Sequence, residues 1–358
     1  MKSLKYLTYC SLIAILIVSC SKGLDPIVAV APGEDVSAPQ LVITYPVEGK
    51  PFVSPDAVAT ITIKLTATDD IELNTVVLNL DGNDIATLSS FKDYRRAVIN
   101  YDYANMTDGD HVLIVTVFDK TGKTTSQTVN FSKITAPAYT PMDGEVLYFS
   151  LDGFYLDLIS GNQLTVNGNP GFTTGKVNDA YAGAADAYLQ YPTSGILGDE
   201  FSLSLWYKIN ATPQRAGIFA IAPDGGTGTD EERKFGLRFF RENSGANQNL
   251  GLNLGIGTTD VWLNPFITVP PDENWMHIAI SISTTYATVY VNGTIVKESE
   301  IAGKIDWTGC SSISIASGEP NFTIWEHFSD LSLYDEIHIF KKAITAEEVQ
   351  TLYSVKKK

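Results

Sequence analysis

The sequence has little cysteine, little histidine and little positive charge. Its three cysteines are Cys10, Cys20 and Cys310; the first lies in an N-terminal segment read below as removed and the second is read below as acylated. One remaining free thiol forms no disulfide framework and no Cys-rich zinc site, so Cys310 reads as a small core residue. Lysine and arginine number 25 against 41 acidic residues, a formal net charge of −16. Such a surface repels nucleic acid and anionic lipid and leaves neutral or cationic ligands open. Long apolar runs are missing apart from LIAILIV near the start, too short for a bilayer that needs roughly 20 apolar residues. No G-x-S-x-G, H-E-x-x-H or phosphate-binding glycine loop occurs.

What is present begins with MKSLK, a cationic start, followed by that apolar run and Ile17-Val18-Ser19-Cys20. The tetrad resembles a bacterial lipobox, which implies a signal peptide over residues 1–19 and acylation of Cys20. Acyl chains contribute about 0.8 kcal/mol per buried methylene, so several would hold the chain on a membrane. The resemblance implies the outer membrane of a Gram-negative bacterium, at the cell surface or facing the periplasm. Residues 20–39 are rich in Pro, Gly, Ser and Ala and read as a flexible tether.

Strand signals fill the rest. TITIKLTATDD alternates, with Ile61, Ile63, Leu65 and Ala67 on one face. NTVVLNLDG ends in the turn pair Asp81-Gly82, and DGDHVLIVTVFDKTGKTTSQTVNF follows with two more strands. Strands at this spacing predict a β-sandwich over residues 40–134, and their cadence resembles bacterial immunoglobulin-like modules. Asp69, Asp70 and Asp119 stand at strand ends, where Asp serves turns and is also able to bind a cation. The expected role of this module is a spacer.

After the Pro-bearing boundary TAPAYTPMDG, four landmarks occur in order: VLYFSLDG, FSLSLWYKIN, NWMHIAISI with YVNGTIV, and SLYDEIHIFKKAITAEEVQTLY. Asn292-Gly293 predicts a type I′ hairpin, and Thr345 with Glu348 a capping box opening a short helix. The series resembles laminin-G-like, concanavalin-A-like jelly rolls over residues 142–356. The fold class is therefore all-β, an immunoglobulin-like sandwich followed by a jelly roll. Two departures from the resemblance are local: His338 stands where relatives often carry Arg, and Leu205 where a smaller residue is usual.

Parity predicts which side chains leave the core. Phe201, Leu203, Leu205 and Tyr207 point in, as do Phe235, Leu237, Phe239, Leu250, Leu252, Leu254, Ile256 and the isoleucines 278, 280 and 282. Trp206, Arg238, Phe240, Asn253 and His277 point out, above a floor of Gly, Ala and Ser. If these strands are neighbours, as the resemblance implies, the five residues line one open trough. A ring for the C–H face of a sugar and polar groups for its hydroxyls suit a polysaccharide or oligosaccharide. Trp206 beneath a loop, and His277 as a structural residue of W-x-H, are the alternatives. The resemblance also implies a structural calcium, with Asp152, Asp157, Asn162 and Asp335 as candidate ligands.

The expectation is a membrane-anchored, non-catalytic carbohydrate-binding lipoprotein that captures glycan at the cell surface, beside a glycan transporter or enzyme complex. The alternatives are a glycoside hydrolase of the same superfamily and a protein-adhesion or scaffold module. Hydrolysis is disfavoured because no strand carries the E-x-D-x-x-E of laminarinase-type glucanases, nor another paired-carboxylate element of the kind glycosidases need.

Overall fold

The computed structural model describes residues 33–272 and 274–354. The expected signal peptide, the expected lipidation site Cys20 and most of the expected tether lie outside the described residues. No helix among those described is long and apolar enough to cross a membrane.

Eight strands form the N-terminal sandwich: β1 (Gln40–Tyr45), β2 (Phe52–Ser54), β3 (Val58–Thr68), β4 (Leu73–Leu80), β5 (Asn83–Leu88), β6 (Arg96–Thr107), β7 (Gly109–Asp119) and β8 (Thr124–Thr135). They make sheets of order β1-β3-β6 and β2-β8-β7-β4-β5. Alternation is as expected, with Ile61, Ile63, Leu65 and Ala67 of β3 buried, and likewise Leu113, Val115 and Val117 of β7. Asp81 and Gly82 take φ of 52° and 82°, the left-handed pair that closes a tight hairpin.

The C-terminal sandwich starts with β9 (Glu145–Phe149), β10 (Thr165–Asn167), β11 (Gly171–Thr174), β12 (Asp179–Ala182) and β13 (Tyr188–Pro192). Its long strands follow: β14 (Phe201–Lys208), β15 (Arg215–Ile221), β16 (Leu237–Ser244), β17 (Asn247–Gly255) and β18 (Asp260–Val269). The last five are β19 (Met276–Ile282), β20 (Tyr286–Val291), β21 (Thr294–Glu300), β22 (Ser312–Ile315) and β23 (Leu333–Phe340). One sheet has the order β10-β13-β22-β15-β16-β17-β18, and the other β11-β12-β23-β14-β19-β20-β21 with β9 paired to β23. The positions predicted to point inward on β14, β16, β17 and β19 join a single buried apolar cluster, except that Phe235 and Ile256 fall just beyond β16 and β17 and are only half-buried. The hairpin between β20 and β21 turns on Asn292 and Gly293, at φ of 49° and 78°.

The chain ends in helix α1 (Ala346–Tyr353). Its capping box forms as predicted, since Glu348 Oε2 accepts from the Thr345 backbone N–H at 2.8 Å and the Glu348 N–H donates to Thr345 Oγ1 at 3.3 Å. Val349 and Leu352 on one face of α1 pack with Ile344, Ala279, Tyr290 and Phe340. Because two otherwise unpaired backbone donors are met here, Thr345→Ala is expected to cost about 1 kcal/mol, read as a fall in the unfolding midpoint.

Candidate functional site

The five residues expected to share one trough do not share it. Trp206 and His277 are cross-strand partners on β14 and β19, in the eight-stranded sheet. Arg238, Phe240 and Asn253 lie on β16 and β17, in the seven-stranded sheet. Their side chains face away from the core on opposite sides of the sandwich, and all five are buried.

On the first side the protein covers itself. Tyr353 of α1 stacks on Trp206 with centroids 5.7 Å apart and also meets His277 at 5.7 Å. The floor of small residues is used as expected, but by the chain's own segment. Ser202 Oγ donates to the Lys342 carbonyl at 2.7 Å and Ser281 Oγ to the Ile344 carbonyl at 2.8 Å. Burial pulls the His277 imidazole down to about 3, which keeps it neutral while it bonds Ser204 Oγ at 2.8 Å. This is a structural histidine. His338, where the resemblance implied Arg, pairs instead with Glu145 at 2.6 Å.

On the second side the loop between β22 and β23 does the covering. Phe240 meets Phe322 and His327 at centroid distances of 5.9 and 4.7 Å. Gly217 permits this approach, since a Cβ there would sit 2.0 Å from the Gly318 nitrogen. The Arg238 guanidinium donates to the Phe235 and Glu232 carbonyls, each at 2.9 Å, and to Asn253 Oδ1 at 3.2 Å. Arg238 and Asn253 therefore anchor a loop.

Above this buried layer an exposed aromatic face remains. Trp262 on β18 is 37% exposed, and Trp325, in the covering loop, 41%. Their centroids lie 6.1 Å apart with planes at 54°. The indole N–H of Trp262 donates to Asp260 Oδ2 at 2.9 Å, which fixes that ring. Arg233 stacks against both, its guanidinium carbon 5.6 Å from the Trp262 centroid and 4.9 Å from the Trp325 centroid. That guanidinium is held in turn by Asp230, Asp260 and the Gly228 carbonyl. Trp325 takes φ 59°, ψ 25°, a conformation a bulky side chain adopts only when its surroundings enforce it.

The two rings border a cleft of about 260 Å³ that Arg215, Phe240, Glu242 and Asn264 also line. Contact with His327 holds the Glu242 carboxyl below its usual range, outweighing burial, and the Arg215 charge adds to it. Glu242 is thus a carboxylate acceptor, while Arg215 and Asn264 carry donors. Arg215 also lines a second cleft of about 560 Å³, with Asp186, Asn243, Glu326 and Phe328.

Residues 39–132 match the model of the bacterial Ig domain, and residues 182–350 that of the concanavalin A-like lectin/glucanases superfamily. The chain carries a bacterial Ig domain followed by a concanavalin A-like domain. Among solved structures it is similar to domain 4 of AbnA, a GH43 extracellular arabinanase from Geobacillus stearothermophilus, in complex with arabinotriose. That match has 19% identity and a TM-score of 0.47, and covers 59% of this chain and 98% of that one. The binding domain of Paraclostridial Mosquitocidal Protein 1 matches at 15% identity and a TM-score of 0.43, and the receptor binding domain of botulinum neurotoxin C/D mosaic serotype at 14% and 0.42. Each match covers 59% of this chain, which spans about half of those toxin domains, 52% and 51% respectively. Likeness at this level is one of fold. A search of curated proteins found no match.

The expected calcium ligands of the concanavalin A-like domain do not converge either. Asp157 is consumed by its own turn: Oδ1 accepts from the Tyr148 and Ile159 N–H groups, each at 3.1 Å, and Oδ2 from Ser160 N–H at 3.0 Å. Asn162 Nδ2 donates to Ser160 Oγ at 2.9 Å. Asp152, Asp157 and Asp335 do not bring three carboxylate oxygens together, though Asp152 lies close enough to Asp335 to help raise its carboxyl. Asp152 accepts from Asp179 N–H at 3.2 Å, and Asp335 Oδ2 from Val177 N–H at 2.9 Å.

Sequence reasoning missed Trp262 and Trp325. A signal existed for the first, because D-V-W-L-N puts Leu263 in the core and so Trp262 and Asn264 outside it. Trp325 sits in an irregular loop where no periodicity applies.

Proposed function

We propose that the concanavalin A-like domain binds a neutral carbohydrate on the Trp262–Trp325 face without cleaving it. Presentation of that face from a membrane, through a lipid on Cys20, belongs to the same proposal, with the bacterial cell surface as its setting. The observation that carries the binding reading is the pair of exposed, braced indoles bordering a cleft with Arg215, Glu242 and Asn264. Indole faces cover the apolar C–H side of a sugar, and the polar groups meet its hydroxyls. Acidic residues outnumber basic ones across the chain, 41 to 25, which disfavours polyanionic glycans. Binding is favoured over hydrolysis because Glu242 is the single carboxylate among the residues lining that cleft, whereas glycosidases act with a pair.

Isothermal titration across a panel of neutral polysaccharides tests the reading. Trp262→Ala and Trp325→Ala are each expected to weaken binding at least tenfold, about 1.4 kcal/mol, with the fold intact. Trp206→Ala, beneath α1, is expected to lower stability and leave affinity in the folded fraction unchanged. Wild-type affinity in both Trp262→Ala and Trp325→Ala would remove the site. A panel without any saccharide ligand, alongside a co-purifying protein, would favour adhesion.

A further inference from the structure

A second cluster of chemistry lies in the Ig domain, at the ends of β3 and β7. One oxygen from each of Asp35, Asp69 and Asp119 lies within 4.8 Å of the others. Turn chemistry occupies only half of the two strand-end carboxylates. Asp69 Oδ1 accepts from the Ile71 and Glu72 N–H groups at 2.9 and 2.6 Å. Asp119 Oδ1 accepts from the Thr121 and Lys123 N–H groups at 2.8 and 2.9 Å. Their other oxygens, Asp69 Oδ2 and Asp119 Oδ2, are buried without a hydrogen-bond partner. Asp69 and Asp119 are themselves only 9% and 1% exposed. An unmet carboxylate oxygen in such a place is costly, and a cation relieves the cost.

Lys123 shows where positive charge is stable. Its ammonium lies 2.6 Å from Asp35 Oδ1, 3.0 Å from the Asp35 carbonyl and 2.9 Å from Thr121 Oγ1. It reaches Asp119 Oδ2 only at 3.8 Å, and its side chain is 35% exposed, so solvent borders the ammonium. The surrounding donors are carboxylate, carbonyl and hydroxyl oxygens, the set that suits calcium rather than zinc or copper. Calcium–oxygen bonds of about 2.3–2.6 Å place opposed ligands roughly 5 Å apart, in keeping with the cluster.

We propose that Asp35, Asp69 and Asp119 form a calcium site whose cation displaces the Lys123 ammonium and ties the segment before β1 to the Ig domain. Calorimetric titration of the chelator-stripped full chain with calcium chloride tests it. Asp69→Asn and Asp119→Asn keep the Oδ1 acceptors and hence the turns, and each is expected to weaken binding at least tenfold, since loss of even an outer-shell partner costs about 10- to 100-fold. Lys123→Met removes the competing charge and is expected to tighten binding. Calcium binding that is unchanged in both Asp→Asn variants, or absent from both the wild type and Lys123→Met, overturns the proposal.

Discussion

Asp330→Ala is expected to cost the concanavalin A-like domain about 3–5 kcal/mol, the range found when one partner of a buried ion pair is removed. Asp330 and Arg241 are both fully buried. Arg241 Nε and Nη2 donate to Asp330 Oδ1 at 3.0 and 2.9 Å, and Nη1 donates to Gln248 Oε1 at 2.9 Å. The Tyr207 and Tyr334 hydroxyls donate to Asp330 Oδ2 at 2.5 and 2.6 Å, and Ser332 Oγ to Oδ1 at 2.8 Å. Burial alone would pull the Arg241 guanidinium down, but the Asp330 charge outweighs it and holds it above its ordinary value. Removing Asp330 strands that cation in the interior together with two phenols and a hydroxyl. All five tryptophans lie between Trp206 and Trp325, so guanidinium unfolding followed by tryptophan fluorescence reports this domain alone. The double variant Arg241→Met/Asp330→Leu is expected to recover much of the loss, because no charge is left unpaired. A single-variant loss under about 1 kcal/mol would mean that water screens the pair.

The same network shows why parts of the molecule were legible in the sequence and others were not. Alternation assigned Leu203, Leu252 and Ile280 to the core because a side chain's face depends on parity along its own strand. Which strands become neighbours depends on pairings across long loops, and parity is silent there. Thus the inward face of β14, β16, β17 and β19 was readable one strand at a time, while the pairing of β14 with β19 and of β16 with β17 in two separate sheets was not. The run of small residues on β14 and β19 did signal a close approach. It could not say whether a ligand or the chain itself would approach. A clue was available in α1, whose Val349 and Leu352 form an apolar face that must be covered by something, and the face of Trp206 and Ala279 was the uncovered surface. Local chemistry was the most legible of all: the Asn292-Gly293 turn and the Thr345–Glu348 box need only neighbours in sequence.

Asp335→Asn is expected to stabilise the domain, and increasingly so as pH rises. Asp335 is fully buried and its Oδ1 has no hydrogen-bond partner. Burial pushes its carboxyl up to about 8, with the Glu336 and Asp152 charges adding to the rise and the Val177 N–H opposing it. Its ordinary value is 3.8. Below about pH 4 the group is protonated whether folded or unfolded, and its folded-state advantage is fully present. Between about pH 4 and 8 only the unfolded chain releases the proton, so stability falls as pH rises, by about 1.4 kcal/mol per pH unit. By pH 7 the loss is on the order of 4 kcal/mol. Asparagine keeps the shape, does not titrate, and turns an amide donor toward the neighbouring carboxylates. In chelator the two proteins should therefore unfold alike near pH 4 and diverge by several kcal/mol at pH 7–8, the variant being the more stable. Parallel profiles would mean that Asp335 is already ionised and compensated in the fold. Repeating the pH 7 measurement with calcium adds a control: a cation held by Asp152 and Asp335 would rescue the wild type and not the variant, whereas equal behaviour in both leaves the buried proton as what makes Asp335 tolerable.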